Sequence, residues 1–320
     1  MLDWTDKHCR FFLRQLSPNA LLYSEMVTTG ALLNGDKKRF LDFNQQEQPV
    51  VLQLGGSVPA DMAACAILAE QWGYAEVNIN VGCPSDRVQK GRFGACLMAE
   101  PELVADCVSN MLAVVNIPIS VKTRIGIDDF DDYAFLHGFI EKIKQAGCLD
   151  VIIHARKAIL KGLSPKENRT IPPINYQRAY QIKQDFPELS VVVNGEINDV
   201  SSVGDHLEKL DGVMIGRKAY HDPYYLAEIE HLLFATELPE REEVLMAFLP
   251  YIDQQLSQGE RLQSIARHLL GLFTGQPGGR LWRRHISENS PRKGASSKVL
   301  LDALSLVKEA QVNYYENKSL

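Results

Sequence analysis

Residues 78–98 read NINVGCPSDRVQKGRFGACLM. The run Val77–Val81 alternates β-branched residues with Asn78 and Asn80, the period-two pattern of a strand. It breaks at Gly82-Cys83-Pro84, because proline cannot donate into a sheet and disfavours helix in the residue before it. Cys83 is therefore expected at a strand tip, opening a loop rich in basic and small residues: Arg87, Lys90, Gly91, Arg92 and Gly94. A thiol on rigid backbone beside a basic loop suits chemistry. The same residue type is more often a small buried hydrophobe, the role that suits Cys96 in its apolar run.

Working outward, the same pattern recurs. Apolar strand-like runs occur at 20–26, 50–54, 76–81, 117–122, 150–154, 190–194 and 211–215. Helical periodicity lies between most of them, at 60–72, 101–115, 132–146, 176–185 and 200–210. Strands alternating with helices predict βα units and a parallel sheet. Seven strands in about 200 residues, with no G-x-G-x-x-G after the first, favour a (β/α)8 TIM barrel over a Rossmann fold. The seven runs then stand for barrel strands two to eight. Only Met1 and Leu2, ahead of Trp4, remain for a shortened first strand. Residues 224–234 read as the closing helix, 235–243 as an acidic linker, and 244–320 as wholly helical, with 313–320 frayed. The expected domains are a barrel at 1–235 and a helical domain at 244–320.

Composition narrows the function classes. A net charge of −6 over 320 residues argues against a generic polyanion binder but permits a local basic surface. No apolar run is long enough for a bilayer, and no signal-peptide pattern opens the chain. Six cysteines without CxxC or regular spacing argue against a disulfide framework or a zinc site, and fit a reducing cytoplasm.

Function in such barrels sits where strands end. The runs end in Gln53, in Asn80 with Cys83, in Lys122 and Arg124, in His154, in Asn194-Gly195-Glu196, and in Gly216-Arg217. Each alone could be a solvated strand end, yet one fold sets them on one rim. The loops after strands seven and eight are the usual phosphate site. Gly195 and Gly216 admit backbone N–H groups, and Arg217 can fork onto a phosphate. Lys122 and His154 offer donors to an electron-rich ring, and Gln53 matches a flavin or pyrimidine edge.

Two further basic surfaces stand out. Residues 278–285, GGRLWRRH, and then Arg292-Lys293, suit RNA backbone contacts. They equally suit a solvated helix face with Trp282 packed inward. Arg156, Lys157, Lys161, Lys166 and Arg169, interrupted by Gly162, Pro165, Pro172 and Pro173, predict a long exposed loop after His154.

NINVGCPSDRVQKGRFGACLM, VKTRIGID, IHARKAILKGLSPKENRTIPPINY, VVNGEI and MIGRKAY resemble the tRNA-dihydrouridine synthases across essentially the whole chain. LKGLSPKENRTIPP and GGRLWRRHIS make the A-type subfamily the nearest likeness. Of the family's Ala-Pro-Met segment ending strand one, only Met1 is present. The resemblance implies an FMN-bound barrel at 1–235 and a tRNA-binding helical domain at 244–320. It implies Cys83 as the catalytic residue. It implies Met1, Leu2, Gln53, Lys122, His154, Asn194, Gly195, Glu196, Gly216 and Arg217 around FMN. It implies Asn80, Lys90, Arg92, Arg178, Arg280 and Arg283 toward tRNA. The reaction implied is NADPH-driven reduction of D-loop uridines 20 and 20a to 5,6-dihydrouridine. Hydride passes from reduced FMN to C6, and the Cys83 thiol protonates C5. The expected partners are tRNA and NAD(P)H, with no membrane and no obligate protein partner. Three alternatives stay open: an FMN-barrel oxidoreductase acting on a small-molecule pyrimidine, a Schiff-base aldolase using Lys122, and a non-catalytic RNA-binding protein.

Overall fold

Seven parallel strands carry the first of two compact units in the computed structural model, which describes residues 1–318. That unit comprises residues 1–3 and 21–216. The strands are β1 (Leu22–Thr28), β2 (Val50–Gly55), β3 (Glu76–Val81), β4 (Ile119–Arg124), β5 (Asp150–His154), β6 (Ser190–Asn194) and β7 (Gly212–Met214). They lie side by side in chain order, all parallel. Every apolar run therefore becomes a strand, with bounds within a few residues of expectation.

The shortened first strand does not form. Residues 2–4 make a turn, and Asp3 adopts a left-handed φ of 62° that extended backbone does not tolerate. Its N–H donates to Glu25 instead. Among the described residues the sheet has seven strands, edged by β1 and β7.

Alternation gives each strand two unlike faces. Val77, Ile79 and Val81, then Val121, Val151, Ile153, Val191 and Val193, are fully buried. Burying each such side chain stabilises the fold by about 1.5–3 kcal/mol. Local signals set the helices between. Pro59 opens Pro59–Trp72, and Gly73 ends it with a φ of 87°. Asp132 caps Tyr133–Gln145 by accepting from the Phe135 N–H at 2.7 Å, and Asp199 caps Val200–Leu207 through the Ser202 N–H at 2.8 Å. The other face of β3 and β4 carries Glu76, Asn78, Asn80, Ser120, Lys122 and Arg124. A polar run on the inner face of a sheet needs partners.

The second unit, residues 4–20 and 217–318, is helical throughout its regular structure. The helix Lys7–Leu16 packs against Tyr224–Phe234 and Arg241–Ser257. Phe11 stacks on Tyr251 with ring centres 3.9 Å apart. Buried Glu230 accepts from the Ser17 hydroxyl at 2.6 Å. This pairing carries Tyr224–Phe234 into the helical unit, and the compact units divide at Gly216. The Glu240–Glu243 capping box starts the helix at Arg241. Within the stretch expected to be wholly helical, residues 262–273 form the helix Leu262–Ala266, a 3-10 turn and irregular turns. There, a Cβ on Gly271 would lie 2.5 Å from the His221 carbonyl oxygen. The last helix, Lys298–Lys318, runs through most of the stretch expected to fray; residues 319 and 320 lie outside the described residues. No described helix is long and apolar enough to cross a membrane.

Candidate functional site at the carboxyl ends of the strands

Because β2–β7 are parallel and in register, their carboxyl ends share one edge. Asn80 pairs with Lys122, Arg124 with His154, and His154 with Asn194. Cys83 lies two residues beyond Val81, half-buried. Asn80 turns the chain there: its Oδ1 accepts from the Gly82 N–H at 3.1 Å and the Cys83 N–H at 3.0 Å. The Cys83 carbonyl accepts from the Ala95 N–H at 2.9 Å, and its thiol reaches Ser85 Oγ at 3.6 Å. Gly94 is required, since its φ is +78° and a Cβ would lie 2.5 Å from the Cys83 oxygen. The Cys83 turn is thus pinned on both sides. Lys90 and Arg92 are exposed on the same loop, Arg92 lying 3.5 Å from the Glu100 carboxylate.

A second group sits further along the edge. Lys122 Nζ donates to Asn194 Oδ1 at 3.1 Å, and Asn194 Nδ2 donates to the Met214 carbonyl at 2.7 Å. Burial pushes the Lys122 ammonium down to about 8; Arg124 adds to that and Cys83 opposes it. Gly195 holds a φ of +127°, and a Cβ there would meet Ile174 at 3.0 Å and the His154 ring at 3.1 Å. The His154 ring edge therefore borders bare Gly195 backbone, whose carbonyl accepts from the Tyr176 hydroxyl at 2.6 Å. A Cβ on Gly216 would lie 3.5 Å from the Met1 sulfur. Met1 and Leu2 are both solvent-exposed. Glu196 is exposed and ion-paired at 2.6 Å with buried Arg156, so its backbone rather than its carboxylate is available to an anion. Arg217 opens the helix Arg217–His221 of the second unit.

Arg124, expected on the rim but given no role there, organises its loops. Nε donates to the Gly82 carbonyl at 2.8 Å, and Nη1 donates to the carbonyls of Lys157 and Asn168, both at 3.0 Å. The loop after His154 is not simply exposed. Wholly buried Asn168 ties it internally, its Oδ1 accepting from the Ile159 N–H at 2.7 Å and its Nδ2 donating to the Ile159 carbonyl at 2.9 Å. Arg178, in the helix Gln177–Asp185, holds Nη1 buried with no hydrogen-bond partner among the described residues. In the second unit, Arg280 and Arg283 are exposed on the helix Gly279–Asn289. Trp282 is wholly buried and donates to the Leu269 carbonyl at 2.8 Å, so its ring faces the core rather than a base.

The structure joins Gln53, Asn80 and Cys83 in one hydrogen-bonded group, Lys122 with Asn194 in another, and His154 against Gly195. Asn78, Ser120 and Glu76 extend the first group and were not expected to matter. Their signal was the period-two polar pattern continuing below Asn80.

These features place a loop thiol, a half-buried amine, an imidazole and side-chain-free backbone at two glycines along the strand ends of a β/α protein. The family comparison narrows that class. The family model described as "Dihydrouridine synthase (Dus)" matches residues 1–310, and the chain belongs to that family of flavin-dependent oxidoreductases with a barrel-like α/β fold. A protein of Vibrio cholerae named tRNA-dihydrouridine(20/20a) synthase is 58% identical over 310 residues, covering 96% of this chain and 94% of that one. Proteins of the same name from Shewanella oneidensis and Yersinia pestis are 57% identical over 302 residues and 54% identical over 320. The alignments cover 94% of this chain and 90% of the Shewanella protein, and 99% of this chain and 92% of the Yersinia protein.

Proposed function

We propose that this protein reduces uridines 20 and 20a in the D-loop of tRNA to 5,6-dihydrouridine, with FMN as cofactor and NADPH as reductant. The observation that carries the reading is the gathering of Cys83, Lys122, His154, Asn194 and Gly195 at the carboxyl ends of neighbouring parallel strands. The residues fit FMN. Gly195 presents backbone that a Cβ would block, and half-buried Lys122 supplies a cation where a flavin ring gathers negative charge. Gln53, Lys122 and His154 would hold the ring, with Met1 and Leu2 beside it. Asn194, the backbone of Gly195, Glu196 and Gly216, and Arg217 would hold the phosphate end. On the same reading the sheet belongs to a TIM barrel within 1–235, and 244–320 is a tRNA-binding helical domain.

FMN held by these residues, with NADPH as reductant, would supply hydride chemistry at C6 of the uracil ring. Cys83 Sγ donates its proton to C5, and the C5–C6 double bond becomes single. The role uses the protonated thiol, so Cys83 acts as a general acid rather than a nucleophile. Asn80 fixes that thiol by holding the Gly82 and Cys83 amides. Lys90, Arg92 and Arg178 line the approach of a uridine drawn from its stack, which costs least in a loop. Arg280 and Arg283 contact the RNA backbone.

The purified protein is expected to show a flavin absorbance band and to form dihydrouridine in tRNA but not from free uridine. Cys83→Ala should keep the band and lose product formation by at least about 100-fold. Full product from Cys83→Ala overturns the acid role, and equal turnover of free uridine favours a small-molecule pyrimidine oxidoreductase.

A further inference from the structure

A line of side-chain hydrogen bonds runs along the polar face of β2, β3 and β4, and every bond in it donates in the same sense. The Cys83 N–H donates to Asn80 Oδ1 at 3.0 Å. Asn80 Nδ2 donates to Gln53 Oε1 at 2.9 Å, and Gln53 Nε2 donates to Asn78 Oδ1 at 2.9 Å. Asn78 Nδ2 donates to Ser120 Oγ at 2.7 Å, and the Ser120 hydroxyl donates to Glu76 Oε1. Glu76, Asn78, Gln53 and Ser120 are all buried, so water does not readily replace a lost partner.

The sense of this line has a cause. A side-chain amide has one accepting and one donating end, and turning it over exchanges them. A serine hydroxyl has a single proton, and an ionised carboxylate, the form Glu76 takes at alkaline pH, only accepts. Ser120 commits its proton to Glu76, so Asn78 must offer Ser120 its NH2. Asn78 then presents its oxygen to Gln53, Gln53 its oxygen to Asn80, and Asn80 its oxygen to the Gly82 and Cys83 amides. With the sense reversed, Asn80 would aim an NH2 at two N–H donors and the turn would lose its hold.

We infer that Glu76, at the opposite end of β3 from Cys83, is a positioning residue that fixes the orientation of this amide line and thereby the geometry of the Cys83 turn. Its effect on turnover rests on the proposed role of Cys83. Its effect on the turn itself does not.

The test is alkylation of Cys83 by iodoacetamide, read by peptide mass spectrometry on the full chain at about pH 8.5, where thiols react. Glu76→Leu removes the terminal acceptor and should speed labelling of Cys83 about fivefold. It should also lower kcat for dihydrouridine formation about tenfold, with KM for tRNA little changed. Glu76→Gln keeps a carbonyl oxygen for Ser120 and should restore both readings to within about twofold of wild type. If Glu76→Leu does not fold, Ser120→Ala cuts the line one bond from Glu76 and Ser120→Thr restores the hydroxyl, with the same expected pair of results. A folded Glu76→Leu or Ser120→Ala protein that labels at the wild-type rate overturns the inference. So does a Glu76→Gln protein indistinguishable from Glu76→Leu. Product formed by Cys83→Ala, with the labelling pattern intact, would instead overturn only the acid role.

Discussion

At the residue scale, Gln53 shows what one buried amide can settle. Its Nε2 and Oε1 are both engaged along the strands, by Asn78 and Asn80. Its amide therefore cannot flip freely to suit a ligand, and neither can that of Asn80. The acid end of this line has a consequence for stability. Burial pushes the Glu76 carboxyl up to about 7; the Ser120 hydroxyl opposes the shift and Asp150 adds to it. With a folded value above the ordinary 4.5, the native state binds more protons than the unfolded chain across the window between them. Stability should therefore fall as pH rises from about 4.5 to about 7, by roughly 3 kcal/mol for this group. Glu76→Gln removes that slope, so its stability relative to wild type should rise by the same amount between pH 5 and pH 8 in urea unfolding. An unchanged difference would mean Glu76 is not desolvated as described. Cys83, Gln53 and Lys122 were legible in the sequence because each ends or follows an apolar run directly. The Asn78–Ser120–Glu76 line was not, because those partners meet only once the register between β3 and β4 is known. Period two gives a residue's face, and says nothing of who stands opposite.

At the element scale, strands were read better than loops for a physical reason. A strand declares itself by local alternation, whereas the loop after His154 is shaped by partners distant in sequence. Its composition of glycine, proline and cations predicted exposure, but buried Asn168 gathers it and Arg124 receives it. One guanidinium thereby fastens three segments: the Cys83 turn, the start of the His154 loop and its middle. Arg124→Met should leave the carbonyls of Gly82, Lys157 and Asn168 without that donor. At about 1–3 kcal/mol for each buried group left unpaired, the variant should lose roughly 3 kcal/mol or more. Trypsin cleavage at Lys161 and Lys166 should accelerate with it. A variant with wild-type melting and an uncut loop would show that water takes over all three bonds. The missing first strand belongs at this scale too. Two residues ahead of Trp4 were assigned to it on fold grounds, and a left-handed Asp3 directs them into a turn instead.

Over the whole molecule, the basic stretch at 278–285 divides its labour by side chain. Trp282 anchors its helix, and Arg280 and Arg283 face solvent. Reversing both charges, Arg280→Glu with Arg283→Glu, should weaken tRNA binding. It should also flatten the salt dependence by about 0.7–0.9 in log–log slope for each phosphate that is no longer neutralised. Because both side chains are exposed, the melting temperature should hardly move. Unchanged affinity and slope would remove this helix from the RNA-binding surface. The two compact units also differ in how they are drawn from the chain. The sheet unit takes nearly all its residues from one continuous span ending at Gly216, whereas the helical unit needs residues 4–20 together with everything after 216. A nascent chain can therefore finish its sheet while the segment bearing Phe11 and Phe12 is still without Phe248 and Tyr251. At ordinary synthesis rates the wait from Phe11 to Tyr251 is about 12–50 s. Through that interval the apolar side of an amphipathic segment stands exposed on the emerging polypeptide, a natural foothold for a ribosome-associated chaperone.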